Sequence, residues 1–594
     1  MKNLNNLIAV ATGKKRADIV LKNAQVLNVF TRKFIPSDIA ILEEYIAGVG
    51  KRGSYSGETE IDCSGSYITP GFIDAHVHIE SSMVLPLAFS EAVVRHGTTA
   101  VIADPHEIAN VLGPDSVRFM CRQSEKALSD IYFMIPSCVP ATDFEHTGGC
   151  ITSQDINTLL QLPKVLGLGE MMNYPGLLGG NPEVLQKIKA TQNFEGKRTV
   201  LDGHAPLVSG LDLQGYKVCG IQTDHECHTF EEALEKVENG MYVLIRLGSS
   251  AKDLYTIVPN LVASGIDTNR FLFCTDDKNI ADILDYGHID ANIRSAIELG
   301  ISPEKAFTMA SWQTASCYHL EEQGAICAGY RADLVILSDI QKVSITKVMK
   351  NGELIPMEYV SQKPEMDEED LNTESGDLLF RACHSVKLPP IKPDFFTFGK
   401  KDSLLASGEE VEKYQGRYVI QIHENTLNTE SLFIPKEKIS KKFKAGELCR
   451  LAVLERHGNG GAHSLALLSG YGLKQGAIAS SIGHDSHNII CAGQSPEDMV
   501  LAVETIKKMA GGICIVDNGV VKATLPLPVA GLMSDESGLW VKEKLEKLQK
   551  EVAVLGIYEH IEPFVTLSFL ALPVIPALRL TDKGLFDVIK WSFL

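Results

Sequence analysis

Short apolar segments alternate with helical patterns from residue 72 to about residue 320, and no other feature constrains the fold as strongly. Helical patterns such as PDSVRFMCRQSEKALSD and FEEALEKVENG follow most of these segments. The length of this block and its alternation of strand and helix predict an eight-fold α/β barrel. The alternative is an open doubly wound sheet, but no Gly-rich phosphate loop follows the first strand. The eight predicted strands are Phe72–Ala75, Ala100–Ala103, Ile131–Ile135, Val165–Gly169, Thr199–Asp202, Ile221–Thr223, Tyr242–Ile245 and Phe271–Cys274.

The two flanks of this block share a second pattern. The segments ADIVLKNAQVLNVF, PSDIAILEEYIAGVG and TEIDCSGSYITP are apolar runs separated by Gly, Ser and Asp turns, which predicts short strands. A similar pattern returns at residues 332–337 and 345–348. We therefore expect one small β-sheet domain, built from residues 1–70 and 325–362, beside a barrel domain at 71–324.

A third region follows an acidic segment. Residues 363–377 (KPEMDEEDLNTESGD) are turn-rich and poor in apolar residues, which is typical of a linker. Residues 378–594 mix strand and helix patterns and have apolar content of their own. The predicted fold class is therefore α/β: a distorted (β/α)8 TIM-type barrel, a small β-sheet domain built from both flanks, and a C-terminal α+β domain.

The charge and the apolar runs exclude two kinds of partner. A formal net charge of −19 disfavours nucleic acid, because phosphates need Lys and Arg. The longest apolar run, Val565–Leu578, is too short to span a bilayer and contains two prolines. The start of the chain lacks an apolar core of signal-peptide length, and the thirteen cysteines form no CxxC pairs. We expect a cytoplasmic enzyme with no membrane partner.

Metal-ligand side chains follow five of the predicted strands. In a barrel the carboxyl ends of the strands converge on one open face, where active sites lie. Two histidines in an HxH pattern on one strand are more often incidental than metal ligands. Ligand-type residues at five strand ends, in the order of the barrel, are hard to explain by chance. Histidines with two acids suit Zn, Mn or Fe(II). The strand ends carry His76 and His78, Glu170, Asp202 and His204, Asp224 and His225, and Asp276 and Asp277.

These motifs resemble a known superfamily. The segments PGFIDAHVHIESS, GLGEMMN, LDGHAP, TDHE and CTDD, with the later GYRADLVIL, are similar to the amidohydrolases. Within that superfamily, DPHEIAN at 104–110 and the block SSIGHDSHNIICAG resemble the bacterial adenine deaminases, and the similarity covers nearly the whole chain.

The resemblance implies a centre with two divalent ions per chain, Mn²⁺ or Fe²⁺ ahead of Zn²⁺. His76 and His78 would hold one ion with Asp276, and His204 and His225 would hold the other. Glu170 would bridge them, where many relatives use a carboxylated lysine; the nearest lysine, Lys164, lies at the start of the strand. One departure is Leu247, where the resemblance leads us to expect an acid.

The resemblance also implies the reaction, which is hydrolytic deamination of adenine to hypoxanthine and ammonia in purine salvage or catabolism. A metal ion lowers the pKa of water, so that hydroxide is available to attack C6 of the purine. We expect Asp276 to carry the proton to the departing amine. Glu107, His106 and Asp277 are the candidates for contacts with the ring nitrogens.

Three further groups have a structural interpretation beside the functional one. His106 and Glu107 would equally cap a helix or brace metal ligands. Glu80, Ser81 and Ser82 would line the pocket or cap a helix. His484, Asp485 and His487 suggest another metal site, but we favour a glycine-punctuated surface loop.

The alternatives are a cyclic-amide hydrolase of the hydantoinase or dihydroorotase type and a non-catalytic barrel scaffold. A bridging lysine would favour the first, and gaps in the ligand series would favour the second; neither is visible. Arg246 is the only cation among the strand ends, whereas a nucleotide phosphate needs two or more. We therefore expect the free base as substrate, and the resemblance implies a homodimer or larger homo-oligomer.

Overall fold

The computed structural model describes residues 2–359, 374–398, 416–424 and 426–594. Residues 363–373 of the predicted linker lie outside the described residues, and a helix spans Glu374–Cys383. The domain boundaries expected from the sequence stay predictions.

Eight parallel strands follow one another around a barrel within residues 72–274, a range that the structure describes throughout. The first five form one sheet and the last three another, and a parallel bridge between Val77 and Asp276 joins the last strand to the first. The predicted barrel is therefore confirmed. The strands are Phe72–Val77, Thr98–Ala103, Asp130–Ile135, Val165–Met171, Val200–Gly203, Thr223–Asp224, Tyr242–Arg246 and Phe271–Cys274.

Helices cover the outside of the barrel. Every residue of the first two strands is buried, as expected for parallel strands that are covered on both faces. The helices are Pro86–Arg95, His106–Leu112, Asp115–Gln123, Ser153–Leu159, Tyr174–Leu178, Pro182–Gln192, Gly210–Val218, Phe230–Glu238, Leu254–Ser264, Ile280–Tyr286, Ile289–Glu298, Pro303–Thr308 and Thr314–Cys317. A π-helix at Met309–Gln313 joins the last two of these.

A second sheet takes strands from both flanks of the barrel, as the sequence predicted. The strand Leu334–Asp339 pairs antiparallel with Tyr67–Pro70, which joins the two flanks directly. A short helix, Leu4–Ala11, packs on the sheet. The other strands of the sheet are Ala17–Asn28, Lys33–Leu42, Tyr45–Gly50, Gly57–Asp62, Ser344–Lys350 and Glu353–Leu354.

The C-terminal region is built on a mainly antiparallel sheet, eight-stranded among the described residues. Its strands are Gly416–Ile422, Thr429–Pro435, Leu448–Leu454, His463–Ser469, Ala477–Ser480, Ile489–Gly493, Gly512–Asp517 and Val520–Pro526. Its helices are Lys436–Lys444, Pro496–Lys508, Gly538–Val554 and Pro563–Phe569, and a small sheet follows at Leu578–Thr581, Gly584–Asp587 and Ser592–Phe593.

The C-terminal region packs directly against the barrel. One cluster of buried apolar side chains includes Val77 and Ile108 of the barrel together with Ile490 and Leu578. Among the described residues, none of the helices combines the length and apolar character that a membrane crossing needs. The extended core brings segments of the C-terminal region to the open face of the barrel.

The buried Lys350 should stabilise the junction of the flank sheet and the barrel. Its Nζ lies 2.7 Å from Asp130 Oδ2 of the third barrel strand and 2.8 Å from Asp333 Oδ2. Lys350→Met leaves the buried Asp333 and the half-buried Asp130 without their cation, so we expect the free energy of unfolding to fall by about 3 kcal/mol. Urea unfolding followed by circular dichroism measures this change. The exposed Lys347→Met is the control, and equal midpoints for the two variants would contradict the prediction.

Candidate metal centre

Five strand ends bring their polar side chains together at the open face of the barrel. His76 and His78 end the first strand, Glu170 the fourth, and His204, His225 and Asp276 follow the fifth, sixth and eighth. Because the carboxyl ends of parallel strands meet at one edge, residues 200 positions apart become neighbours. The structure thus brings together all the ligands predicted from the sequence, in groups of three whose ligand atoms lie within 4.8 Å of one another.

The first group surrounds His78. The Nε2 atoms of His76 and His78 are 3.2 Å apart, and His78 Nε2 lies 3.1 Å from Asp276 Oδ1 and 3.5 Å from Glu170 Oε1. His76 Nε2 lies 3.7 Å from Asp276 Oδ1. Nitrogen and oxygen donors at ~2.1 Å from one tetrahedral ion lie roughly 3.4 Å from each other. These separations therefore fit a shared divalent cation.

The second group surrounds the other oxygen of Glu170. Its Oε2 lies 2.7 Å from His204 Nδ1 and 3.2 Å from His225 Nε2. The Glu170 carboxylate therefore has one oxygen towards each group, which is the position that a bridging ligand needs. Burial raises the pKa of Glu170, but the contacts with His106, His204 and His225 outweigh it and hold the pKa well below its usual range.

Backbone and side-chain contacts fix the orientation of the first-strand histidines. His78 Nδ1 lies 2.8 Å from the Asp104 carbonyl, which only accepts hydrogen bonds, so Nδ1 carries a proton and Nε2 faces the centre. Asp74 accepts hydrogen bonds from the backbone N–H groups of His76 and Thr275 at 3.2 and 3.1 Å. Asp74 thereby ties the end of the first strand to the end of the eighth.

Asp276 is held in a left-handed backbone conformation, with φ of +58°. Its N–H donates to the His76 carbonyl at 3.0 Å, and its carbonyl accepts from the His78 N–H at 3.1 Å. Such a conformation costs a non-glycine residue roughly 1–3 kcal/mol and persists only where the surroundings enforce it. The closure of the barrel therefore aims the Asp276 carboxylate inwards.

The seventh strand contributes through Arg246. Its guanidinium pairs with Glu226, with Asp253 at 2.8 Å and with Asp276 Oδ2 at 3.0 Å. Burial lowers the pKa of Arg246, but the three carboxylates outweigh it and hold the pKa well above its usual value. The residue that follows is the buried Leu247, so Arg246 rather than an acid acts on the centre from this strand.

The other predicted site residues lie beside the ligands. His106 Nδ1 lies 3.0 Å from Glu170 Oε1, and its Nε2 lies 3.3 Å from Glu107 Oε1. Asp277 accepts a hydrogen bond from Ser81 Oγ. Their predicted contacts with a substrate ring stay predictions.

The residues after the first strand act mainly on local structure. The carboxylate of Glu80 accepts the Ile108 N–H at 3.1 Å and so braces the helix that begins at His106, and burial raises its pKa to about 7. Ser82 Oγ donates to the carbonyl of Ile79. Lys164 lies at the start of its strand and donates to the Ser124 carbonyl at 3.4 Å, away from the ligand groups.

The prediction of a surface loop at His484, Asp485 and His487 is wrong. These residues are buried, because the C-terminal region packs over the barrel mouth. His484 Nδ1 lies 2.9 Å from Glu107 Oε1, and His487 contacts Glu107 Oε2. Sequence reasoning missed this contact, although five polar residues in a row between apolar strands are an unusual pattern for a solvent-exposed turn.

A barrel that gathers histidines and carboxylates at its strand ends is the architecture of a metal-dependent hydrolase, and the amidohydrolase family model matches residues 67–355. The adenine deaminase C-terminal domain model matches residues 426–592. A protein of Clostridium acetobutylicum named adenine deaminase is 42% identical over 99% of both chains. A protein of Geobacillus kaustophilus with the same name is 41% identical over 100% of this chain and 98% of its own. The chain belongs to the adenine deaminase family, and its amidohydrolase barrel implies the use of divalent metal.

Removal of the Glu170 charge should empty the centre. Glu170→Gln takes away the one carboxylate that faces both ligand groups, so metal affinity should fall by more than the ~10–100-fold that follows the loss of an outer-shell partner. Elemental analysis after dialysis at limiting metal measures this. Glu195→Gln, an exposed change on the same barrel, is the control. A Glu170→Gln protein with the full wild-type metal content would show that Glu170 is not a ligand.

Proposed function

We propose that the protein hydrolyses adenine to hypoxanthine and ammonia at a binuclear metal centre, in purine salvage or catabolism. The observation that carries the proposal is the position of Glu170, whose two oxygens face separate groups of donors. The names of the relatives, which match over nearly their full length, support adenine as the substrate.

We assign His76, His78 and Asp276 to one ion and His204 and His225 to the other, with Glu170 between them. When bound, these ions lower the pKa of water, which makes a nucleophile available near neutral pH. The mixed nitrogen and oxygen donors suit Mn²⁺ or Fe²⁺, with Zn²⁺ as the alternative. Metal analysis of the protein purified after growth on each metal distinguishes these ions.

Asp276 is the proposed proton carrier. Burial raises its pKa, but the hydrogen bond with His78 and the charge of Arg246 outweigh burial and hold the pKa well below its usual range. The carboxylate is therefore ionised, with Oδ2 held by Arg246 and Oδ1 towards the ligand group. From this position it accepts the proton of the attacking water and returns it to the departing amine.

Contacts with the purine ring are assigned to His106, Glu107 and Asp277. The ring nitrogens gain negative charge during the attack, so a protonated group beside them stabilises the transition state. Burial lowers the pKa of His106, whereas the carboxylates of Glu107 and Glu170 raise it well above its usual value. The two ring nitrogens of His106 lie 3.0 Å from Glu170 Oε1 and 3.3 Å from Glu107 Oε1, so a contact with the purine would replace the one with Glu107.

The charges around the centre favour a neutral base over a nucleotide. Arg246 is the basic side chain nearest the ligands from the seventh strand, and it is already paired with three carboxylates. A phosphate needs two or more free cations or a helix N-terminus with a glycine-rich loop. The acidic and imidazole side chains gathered here offer a phosphate no such partner.

A cyclic-amide hydrolase is the second candidate, because the same chemistry would serve it. The position of Glu170 disfavours a cyclic-amide hydrolase, because that hypothesis expects a lysine as the bridging ligand. Lys164 instead donates a hydrogen bond to the Ser124 carbonyl. A non-catalytic scaffold is disfavoured by the unbroken series of ligands. Homo-oligomeric assembly and a cytoplasmic location stay predictions, and light scattering of the purified protein tests the first.

The substrate assignment is tested with three compounds under one metal condition. We expect kcat/KM for adenine to exceed that for adenosine by a large factor, since the relatives are named for the free base. AMP should be inert, because Arg246 is already paired with three carboxylates and so offers its phosphate no free cation. Ammonia release measures all three, and release from hydantoin or dihydroorotate tests the second candidate. An adenosine value equal to that of adenine would overturn the assignment to the free base.

The role of Asp276 is tested by Asp276→Asn. The amide keeps the shape and an oxygen donor but cannot carry the proton, so kcat should fall by roughly 10²- to 10⁴-fold while much of the metal is kept. Steady-state kinetics and metal analysis on the same sample separate the two effects. Asp285→Asn, at an exposed position after the same strand, is the control. Near wild-type turnover in Asp276→Asn would exclude Asp276 as the carrier.

A further inference from the structure

The segment 484–488, here called the HDSHN loop, forms one wall of the metal centre although it belongs to the C-terminal region. His484 and His487 contact the two oxygens of Glu107. Glu107 in turn lies 3.3 Å from His106, whose Nδ1 lies 3.0 Å from Glu170. A continuous line of polar contacts therefore runs from the ligand Glu170 to the HDSHN loop.

The HDSHN loop is held on both sides. Arg456 Nε donates to the His487 carbonyl, and the His457 ring lies 2.8 Å from the Ser486 carbonyl through Nε2. From the barrel side, Ser486 Oγ donates to Glu145 at 2.5 Å. The backbone of the loop is therefore fixed, and its side chains keep their positions relative to the centre.

Asp485 differs from its neighbours in this loop. His484, Ser486 and His487 each contact a polar group of the barrel, as described above. Asp485 is only 3% exposed, yet its Oδ2 has no hydrogen-bond partner among the described residues. A buried carboxylate oxygen without a donor is destabilising, because it has lost its hydrogen bonds with water. Such an atom is satisfied when a ligand supplies the donor.

The surroundings of Asp485 place its carboxyl at the centre. Burial raises its pKa, the charge of His106 lowers it, and the charges of Glu107 and Glu170 raise it. Those three groups line the centre from the barrel side. Asp485 also follows His484 directly and lies two residues before His487, and both histidines contact Glu107, so Asp485 belongs to the part of the HDSHN loop that faces the centre.

We propose that Asp485 is a substrate-contacting residue whose carboxylate accepts a hydrogen bond from the imidazole-ring N–H of adenine. This inference rests on the proposed function. A carboxylate only accepts hydrogen bonds, and adenine has two kinds of N–H donor, the exocyclic amine and one N–H on the imidazole ring. The amine lies at the ligands during its displacement, so the donor left for Asp485 is on the imidazole ring.

The contact explains a preference for the free base. A ribose at N9 removes the N–H and leaves the carboxylate buried without a donor. A site that is built to bond a donor rejects analogues that lack it more strongly than an apolar pocket rejects added bulk. Asp485 thus acts as a specificity determinant contributed by the C-terminal region.

The test compares adenine with 9-methyladenine, which keeps the reacting amine but lacks the N9–H. Asp485→Ala should lower kcat/KM for adenine by about 10- to 100-fold, as expected for the loss of a hydrogen bond to a charged group, and should change the value for 9-methyladenine little. The preference for adenine therefore shrinks by the same factor. Asp485→Asn, which keeps the shape and an uncharged acceptor, should lose roughly 5- to 10-fold.

Controls separate this outcome from other causes. The exposed Asp394→Asn of the C-terminal region should behave as wild type. The metal content of Asp485→Asn should match wild type, because Asp485 is assigned no metal, and its melting temperature should not fall, because Oδ2 has no donor to lose in the free protein. The inference would be overturned if Asp485→Ala lowered kcat/KM equally for adenine and 9-methyladenine, or left the preference for adenine unchanged. Loss of metal from the Asp485 variants would overturn it as well. A wild-type protein that does not release ammonia from adenine would instead overturn the proposed function.

Discussion

The Glu170 carboxylate is the charge around which the rest of the site is arranged. It is buried, and a buried carboxylate costs several kcal/mol unless positive or polar groups surround it. His106, His204 and His225 supply those groups from three different strand ends. Each imidazole must reach the same few ångströms of space, so the barrel has to close with the correct strand order and register before this charge is satisfied.

The residues around Glu170 also need partners for their buried charges, and they find them in further contacts. Asp276 occupies its left-handed conformation because the first strand bonds its backbone on both sides, and Arg246 then fixes one of its oxygens. On the opposite side, Glu107 is partnered by His484 and His487, so the C-terminal region completes the polar surroundings that the barrel begins. The candidate metal centre is thus surrounded by residues of both regions rather than of the barrel alone.

Most of the barrel could be predicted from the sequence, because fully buried parallel strands are continuous apolar segments. The meeting of the candidate ligands could be predicted as well, because the carboxyl ends of such strands converge. The positions of the candidate ligands followed from that convergence, and the resemblance to a family supplied their proposed roles. The HDSHN loop could not be placed in this way. Its contact with Glu107 joins residues almost 380 positions apart through the packing of two regions, and no periodicity within either region reports such packing.

The distance along the chain between the ligands and the HDSHN loop has a consequence for how the protein is made. The last proposed ligand, Asp276, is synthesised about 200 residues before the loop, which at ~5–20 residues per second is roughly 10–40 s. During that interval a nascent barrel has its imidazoles and carboxylates but lacks the wall that later covers them. The order of translation therefore gives metal ions an open route into the centre before the site acquires the shape that holds a substrate.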